Sequence, residues 1–75
     1  MNKYDWSNVP KEVKWIATDE DGWAWGWINE PRSAGTIEWL SLAGYGNLYC
    51  EFYIKPEDNP YQGNWQDSLE ERPND

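Results

Sequence analysis

The stretch Asp19-Glu20-Asp21-Gly22-Trp23-Ala24-Trp25-Gly26-Trp27 predicts the fold of this chain of 75 residues. Its three tryptophans occupy alternate positions, and a period of two is the period of a β-strand, so the three rings should project from one face. The Asp-Gly pair that precedes them is a strong hairpin signal. The stretch therefore predicts a β-hairpin with a tryptophan ladder on its second strand.

Two registers of this hairpin are compatible with the first predicted strand, residues 13–18. A two-residue turn at Asp21-Gly22 places Trp25 opposite Thr18. A three-residue loop, with the glycine in the left-handed region, places Trp25 opposite Ala17. The second register is preferred because it sorts the large apolar residues onto one face. That face would carry Val13, Trp15, Ala17, Trp23, Trp25 and Trp27.

Two further strands are predicted after Pro31, which should end the second strand. Residues 36–42 have apolar side chains on both faces, which indicates either an inner strand or a strand with one face covered by a terminal segment. Residues 48–55 alternate more clearly. Their inward set is Leu48, Cys50, Phe52 and Ile54, and their outward set is Tyr49, Glu51, Tyr53 and Lys55. The predicted fold is all-β, a single four-stranded antiparallel meander.

Two terminal arms flank a predicted core of about residues 12–55, all within a single domain, 1–75. In the N-terminal arm, residues 1–11, Trp6 should pack on the edge of the core, and Asp5 or Ser7 should start a short turn. In the acidic C-terminal arm, residues 56–75, Trp65 and Leu69 should pin the chain to the sheet. Residues 68–72 are predicted to form one helical turn.

The composition restricts the classes of function. The chain has 14 acidic and 6 basic side chains and a net charge of −8. Direct nucleic-acid binding is disfavoured because it relies on Lys and Arg, whereas basic proteins are favoured partners. One Cys and no His predict no disulfide, no metal site and a reducing compartment. The apolar runs are too short to span a membrane.

The three conspicuous groups of residues each have a structural and a functional interpretation. The tryptophan ladder is either core or an exposed aromatic platform, and seven Trp favour a mixture of both. Asp19-Glu20-Asp21-Gly22 resembles the start of a calcium loop, but Trp23 and Glu30 stand at ligand positions 5 and 12, so a solvated turn is preferred. The C-terminal acids are either solvated or mimic phosphates; they are Glu57, Asp58, Asp67, Glu70 and Glu71.

Catalysis has little support in the sequence. A chain without His offers no Cys-His or Ser-His pair, and it contains no Gly-rich phosphate loop. Paired carboxylates occur in glycosidases, but a chain this short does not easily enclose the cleft that such chemistry needs. The sequence therefore predicts a binding protein with no cofactor and no enzymatic activity.

Three segments resemble small uncharacterised accessory proteins of tailed bacteriophages. They are Tyr4-Asp5-Trp6-Ser7-Asn8-Val9-Pro10, Trp15-Ile16-Ala17-Thr18-Asp19-Glu20-Asp21-Gly22 and Trp65-Gln66-Asp67-Ser68-Leu69-Glu70-Glu71-Arg72-Pro73. The pattern is an Asp-Trp-Ser start, an Asp-x-x-Gly hairpin and a Trp-x-x-Ser-Leu tail. The resemblance implies expression in the cytoplasm of an infected bacterium. Because that family has no common established function, it assigns no functional residue.

The leading hypothesis is a phage-encoded inhibitor that binds a basic host or defence protein, in one version by mimicking nucleic acid. The alternatives are a binder of a carbohydrate or signalling nucleotide that uses the tryptophan ladder, and a structural or self-assembling phage protein. The two arms also admit a homodimer. The candidate partner-binding residues are Trp23, Trp25, Trp27, Asp19, Glu20, Asp21, Tyr49, Glu51, Tyr53, Glu57 and Asp58.

Overall fold

The computed structural model describes residues 2–32, 39 and 48–73. Within them a four-stranded sheet is formed by β1 (Trp15–Thr18), β2 (Ala24–Trp27), β3 (Leu48–Ile54) and β4 (Glu70–Glu71). Every strand pair is antiparallel. Two short 3-10 helices, Pro56–Asp58 and Trp65–Asp67, lie in the chain between β3 and β4. The all-β prediction is confirmed.

The hairpin between β1 and β2 adopts the preferred register. Ala17 pairs with Trp25 and Trp15 pairs with Trp27. The Asp19 N–H bonds to the Trp23 carbonyl at 2.8 Å, which closes a three-residue loop. Gly22 has φ of 92°, a conformation that L-amino acids rarely adopt and that glycine adopts readily. The sequence signal and the backbone geometry therefore agree on where this loop begins and ends.

The order of the strands differs from the predicted meander. The sheet runs β3-β2-β1-β4, so the last strand returns to the free edge of β1. The predicted strand 36–42 lies outside the described residues except for Trp39, and β3 itself pairs directly with β2. The predicted helical turn at 68–72 is wrong, because Glu70 and Glu71 pair with Ile16 and Trp15 instead.

The sheet is covered on both faces rather than on one. One cluster contains Tyr4, Val13, Ile16 and Ala24, and the other contains Ala17, Trp27 and Trp39. The prediction that Val13 shares the face of Trp15 is wrong. Val13 precedes β1, and its amide bonds to the Pro10 carbonyl in a turn, so the strand alternation does not extend back to it. It lies over Gly26, where a Cβ atom would be only 2.9 Å from its methyl groups.

An irregularity in β3 reverses the predicted alternation of its first residues. Trp25 pairs with Tyr53, but the next residue of β2, Gly26, pairs with Tyr49, so residues 50–52 have no partner on β2. Leu48 therefore packs in the Trp27 cluster, and Tyr49, predicted to face outward, packs against the Ile16 cluster. The side chain of Cys50, predicted to be buried, falls outside what the structure describes.

A buried polar network centred on Thr18 joins four parts of the chain. Tyr4 Oη donates to the Ser68 carbonyl at 2.9 Å and lies 2.8 Å from Thr18 Oγ1. Because the phenol has one proton, Thr18 must donate to Tyr4. Asn59 Nδ2 donates to Thr18 Oγ1 at 3.0 Å. The hydrogen bonds thus run in one direction, from Asn59 through Thr18 and Tyr4 to Ser68.

The two arms are bound to each other as well as to the sheet. The Glu70 carboxylate accepts the Lys3 N–H at 2.8 Å and the Trp6 indole N–H at 2.7 Å. The Arg72 guanidinium lies 4.9 Å from the centre of the Trp6 ring. Asp5 starts a turn by accepting the Ser7 amide at 3.0 Å, as the sequence predicted. The packing of Trp6, Trp65 and Leu69 against the core is also confirmed.

Candidate interaction surface

Three aromatic side chains form a cluster near the turn end of the hairpin. Trp23, Trp25 and Tyr53 are called here the aromatic patch. The Trp23 and Trp25 rings are stacked, with centroids 6.2 Å apart and planes at 19°. Tyr53 lies 5.5 Å from the first ring and 5.6 Å from the second. The rings therefore support one another and present a single continuous surface.

The sequence builds the aromatic patch by two ordinary features of β-structure. Trp23 directly precedes β2, and alternation along the chain places it on the same face as Trp25. Tyr53 is the cross-strand partner of Trp25 on β3. Tyr53 is 47% exposed, and the two tryptophans are half-buried. Aromatic rings that contact one another and still reach solvent are typical of protein-binding hot spots.

Trp27, the third member of the ladder, does not belong to this surface. It is only 2% exposed and packs with Trp39, and the half-buried Trp65 and Leu69 pack against the same cluster. Its indole nitrogen is buried without a hydrogen-bond partner. The prediction that Trp27 binds a partner fails because residues from the C-terminal arm cover it.

The acidic loop of the hairpin adjoins the aromatic patch in sequence and in space. Asp21 Oδ1 accepts the Trp23 amide at 3.0 Å and so fixes the first residue of the patch. Asp19 Oδ1 accepts the Trp39 amide at 3.0 Å, which gives this carboxylate a structural role. Glu20 is exposed. Asp19 and Asp21 therefore both hold the backbone, and Asp21 is exposed as well, like Glu20.

A second acidic segment lies beside this loop, although it is distant in sequence. Gly22 approaches Pro56 so closely that a Cβ atom on the glycine would be 3.1 Å from the proline Cβ. Asn59 Nδ2 also donates to the Gly22 carbonyl at 3.0 Å. Glu57 and Asp58, both exposed, are thereby held next to the hairpin turn. The fold thus gathers carboxylates from two segments at one end of the sheet.

The remaining candidates are placed differently. Glu51 is exposed in the part of β3 that has no partner on β2. Tyr49 is half-buried against the Ile16 cluster and does not belong to the aromatic patch. The C-terminal acid Glu70 is occupied by the N-terminal arm. It therefore contributes to the fold rather than to an open acidic surface.

A cleft of about 250 Å³ opens between the hairpin turn and the following loop of the C-terminal arm. Its lining includes Asp19, Glu20, Tyr61, Gln62, Asn64 and Trp65. Sequence reasoning placed the last four in the C-terminal arm, with Trp65 as an anchor, and did not identify a cleft. The sequence signal was that two aromatic residues, Tyr61 and Trp65, lie close together in an otherwise polar segment. That signal does not reveal that the hairpin turn lies beside them.

Two ionisable groups have pKa values displaced by their surroundings. Burial raises the pKa of the Tyr4 phenol to about 12, and its hydrogen bonds to Thr18 and Ser68 only partly oppose this effect. Hydrogen bonds from the Ser7 side chain and backbone lower the pKa of the exposed Asp5 carboxyl. Both groups belong to the N-terminal arm, so these displacements bear on stability rather than on the aromatic patch.

Within the described residues, the structure contains no group of three or more His, Cys, Asp or Glu placed to hold a metal ion. No helix in the same part of the chain is long and apolar enough to cross a membrane. Comparison with models of known protein families, with curated proteins and with solved structures finds no match to this chain. The assignment of function therefore depends on the geometry of the surface itself.

Proposed function

We propose that this chain is a non-catalytic binding protein, encoded by a phage, that inhibits a basic host or anti-phage defence protein by covering a functional surface. The observation that carries the proposal is the aromatic patch beside two acidic segments. The phage origin is supported by the sequence motifs of the arms and the hairpin. The version in which the acids mimic nucleic acid requires the partner's basic groups to be those that normally bind phosphates.

The aromatic patch supplies the apolar part of such an interface. Trp and Tyr are enriched at hot spots because they bury much area with few rotatable bonds, and their polar groups can still bond to a partner. The mutual stacking of Trp23 and Trp25 restricts their rotamers before binding. These two side chains would therefore lose less conformational entropy when a partner binds than isolated exposed side chains would.

The acidic groups supply the long-range electrostatic attraction to a basic partner. Glu20, Glu57 and Asp58 are exposed at the turn end of the sheet, and the whole chain carries a net charge of −8. A field of this sign raises the rate of encounter with a basic surface. Exposed carboxylates contribute mainly to that rate, whereas the aromatic patch would govern how slowly the complex dissociates.

The proposal is tested by affinity capture from a lysate of a bacterial host, at low and high salt, with identification by mass spectrometry. The wild type is compared with Tyr53→Ala and with Ile28→Ala, because these are the exposed large apolar residues, at 47% and 42%, in the part of the chain that the structure describes. We expect a specific basic protein to be retained by the wild type and Ile28→Ala but lost with Tyr53→Ala. Equal capture by all three would refute the proposed surface.

A second candidate function is carbohydrate binding. The planes of Trp23 and Trp25 differ by only 19°, and nearly parallel indoles are suited to stacking on a sugar ring. A signalling nucleotide fits less well because its phosphates would meet an acidic surface. A panel of sugars and nucleotides, followed by tryptophan fluorescence, separates the candidates. Unchanged emission across the panel excludes the small-ligand function.

A further inference from the structure

The cleft beside the hairpin turn, defined above by its lining from Asp19 to Trp65, combines aromatic walls with carboxylates. Tyr61 and Trp65 line it on the side of the C-terminal arm, and Asp19 and Glu20 line it on the side of the hairpin. The Glu20 side chain makes no hydrogen bond or ion pair with the described residues, and it is exposed. A carboxylate near aromatic rings in one cavity is the arrangement that attracts an organic cation.

The walls of the cleft are held in place before any ligand arrives. Asn59, only 4% exposed, donates to the Gly22 carbonyl of the hairpin and accepts the Tyr61 amide, both at 3.0 Å. The Tyr61 hydroxyl donates to the Asn64 carbonyl at 2.7 Å. One buried amide side chain thus ties both sides of the cleft together. A preformed cavity of this kind loses little entropy on binding.

Charge and size restrict the occupant. None of the described residues that line the cleft is Lys or Arg, so a phosphate or carboxylate would find no counter-charge among them. The volume of about 250 Å³ is smaller than the roughly 300–1,000 Å³ of pockets that bind whole small molecules. The cleft is therefore suited to a single cationic side chain. A guanidinium fits better than an ammonium because it is planar, stacks on aromatic rings and pairs with carboxylates through two hydrogen bonds.

We infer that this cleft receives an arginine side chain of the basic partner. The inference rests on the proposed function and deepens it by naming the group that the partner inserts. Glu20 and Gly22 line the cleft, and Trp23 of the aromatic patch follows directly in the chain. A partner seated on the patch would extend over the acidic turn, so that one arginine at its edge enters the cleft.

The test uses N-acetyl-arginine amide as the probe, with the neutral isostere N-acetyl-citrulline amide as its control. Each is titrated into the ¹⁵N-labelled chain and followed by NMR. We expect millimolar binding of the arginine probe, with shifts confined to the amides of residues 19–22 and 61–65 and to the Trp65 indole N–H. Citrulline should bind at least fivefold more weakly. Glu20→Gln should weaken arginine binding by at least threefold, while Glu12→Gln, an exposed acid outside the cleft, should leave it unchanged.

Several results would overturn the inference. Shifts of equal size with citrulline would show that the cation is not recognised, and an equal effect of both glutamine variants would show only non-specific attraction to an acidic chain. A sugar that shifts the same amides where arginine does not would assign the cleft to another ligand. The titration uses no partner, so its outcome is independent of the capture experiment. If the arginine probe does not bind but the wild-type chain still captures a partner that Tyr53→Ala loses, only the arginine site is refuted. If the wild-type chain captures no specific partner, the proposed function is refuted.

Discussion

Gly22 is the residue on which the shape of the acidic turn depends. Its φ of 92° is a left-handed conformation, and a Cβ atom would lie 3.1 Å from Pro56. An alanine there would pay both a backbone cost of roughly 1–2 kcal/mol and a steric one. We expect Gly22→Ala to lower the free energy of unfolding by about 2 kcal/mol, measured by urea denaturation. Glu20→Ala, in the same loop but exposed, should change it by less than about 0.5 kcal/mol. Equal effects of the two substitutions would show that the turn tolerates a side chain at this position.

Ionisation of the Tyr4 phenol limits the stability of the folded chain at alkaline pH. Burial raises its phenol pKa from 10.0 to about 12, so the folded state favours the protonated form more strongly than the unfolded state does. Its stabilisation is therefore complete below pH 10 and is lost as the pH rises from 10 to 12. At neutral pH, Tyr4→Phe should cost about 1–3 kcal/mol because Thr18 and Ser68 lose a hydrogen-bond partner.

The difference in unfolding free energy between wild type and Tyr4→Phe should accordingly shrink between pH 10 and pH 12. Urea denaturation at several pH values measures it. Tyr53→Phe, which removes the hydroxyl of an exposed tyrosine, is measured alongside as the matched control. A Tyr4→Phe difference that stays constant from pH 8 to pH 12 would contradict a buried, neutral phenol.

Among the elements, β4 is the one that joins the two ends of the described chain. Glu70 lies in β4 and accepts N–H groups from Lys3 and Trp6 of the N-terminal arm at 2.8 and 2.7 Å. Hydrogen bonds to a charged acceptor are each worth about 1.5–3 kcal/mol. We expect Glu70→Ala to lower the unfolding free energy by about 2–3 kcal/mol and to shift the NMR signal of the Trp6 indole N–H.

Glu71→Ala is the control for that prediction, because Glu71 is the exposed neighbour in the same two-residue strand. It removes the same charge and should cost less than about 0.5 kcal/mol. If both substitutions destabilise the chain equally, the effect belongs to the local charge or strand propensity of β4. The Glu70 contacts with the N-terminal arm would then contribute nothing of their own.

The elements also show what can be read from the sequence and what cannot. The hairpin register was predictable because Gly22 and the alternating tryptophans act within a few residues of each other. The irregularity of β3 was not, since Leu48 and Tyr49 alternate regularly in sequence and only their pairing with β2 exposes the change. β4 was missed because Glu70 and Glu71 have low strand propensity and are placed in the sheet by neighbours distant in sequence.

In the candidate surface, too, some features follow from local sequence and others from contacts between residues distant in sequence. Local alternation placed Trp23 and Trp25 on one face and predicted that Tyr53 faces outward, which its 47% exposure confirms, but it did not indicate which tryptophans reach solvent. The burial of Trp27 depends on Trp65 and Leu69 arriving from the C-terminal arm, which no local pattern reports. The proximity of Glu57 to the hairpin turn likewise depends on a tertiary contact, that of Pro56 with Gly22.

For the whole molecule, the net charge of −8 predicts how association with a basic partner responds to salt. The Debye length falls from about 10 Å at 0.1 M to about 3 Å at 1 M, which screens attraction between separated charges. We expect the association rate of the captured partner to fall at least tenfold over that range while the dissociation rate changes less than threefold. Stopped-flow mixing measures both rates. An association rate insensitive to salt would remove the steering role of the carboxylates.

The measurement that tests the central claim most directly is calorimetric titration of the captured partner with the wild type, Tyr53→Ala and Ile28→Ala, each shown by circular dichroism to be folded. Truncation of a hot-spot aromatic costs about 2 kcal/mol or more, which is roughly a thirtyfold loss of affinity. The account predicts at least that loss for Tyr53→Ala and less than a threefold change for Ile28→Ala. Equal affinities for all three chains would show that the partner binds elsewhere and that the aromatic patch is not the interaction surface.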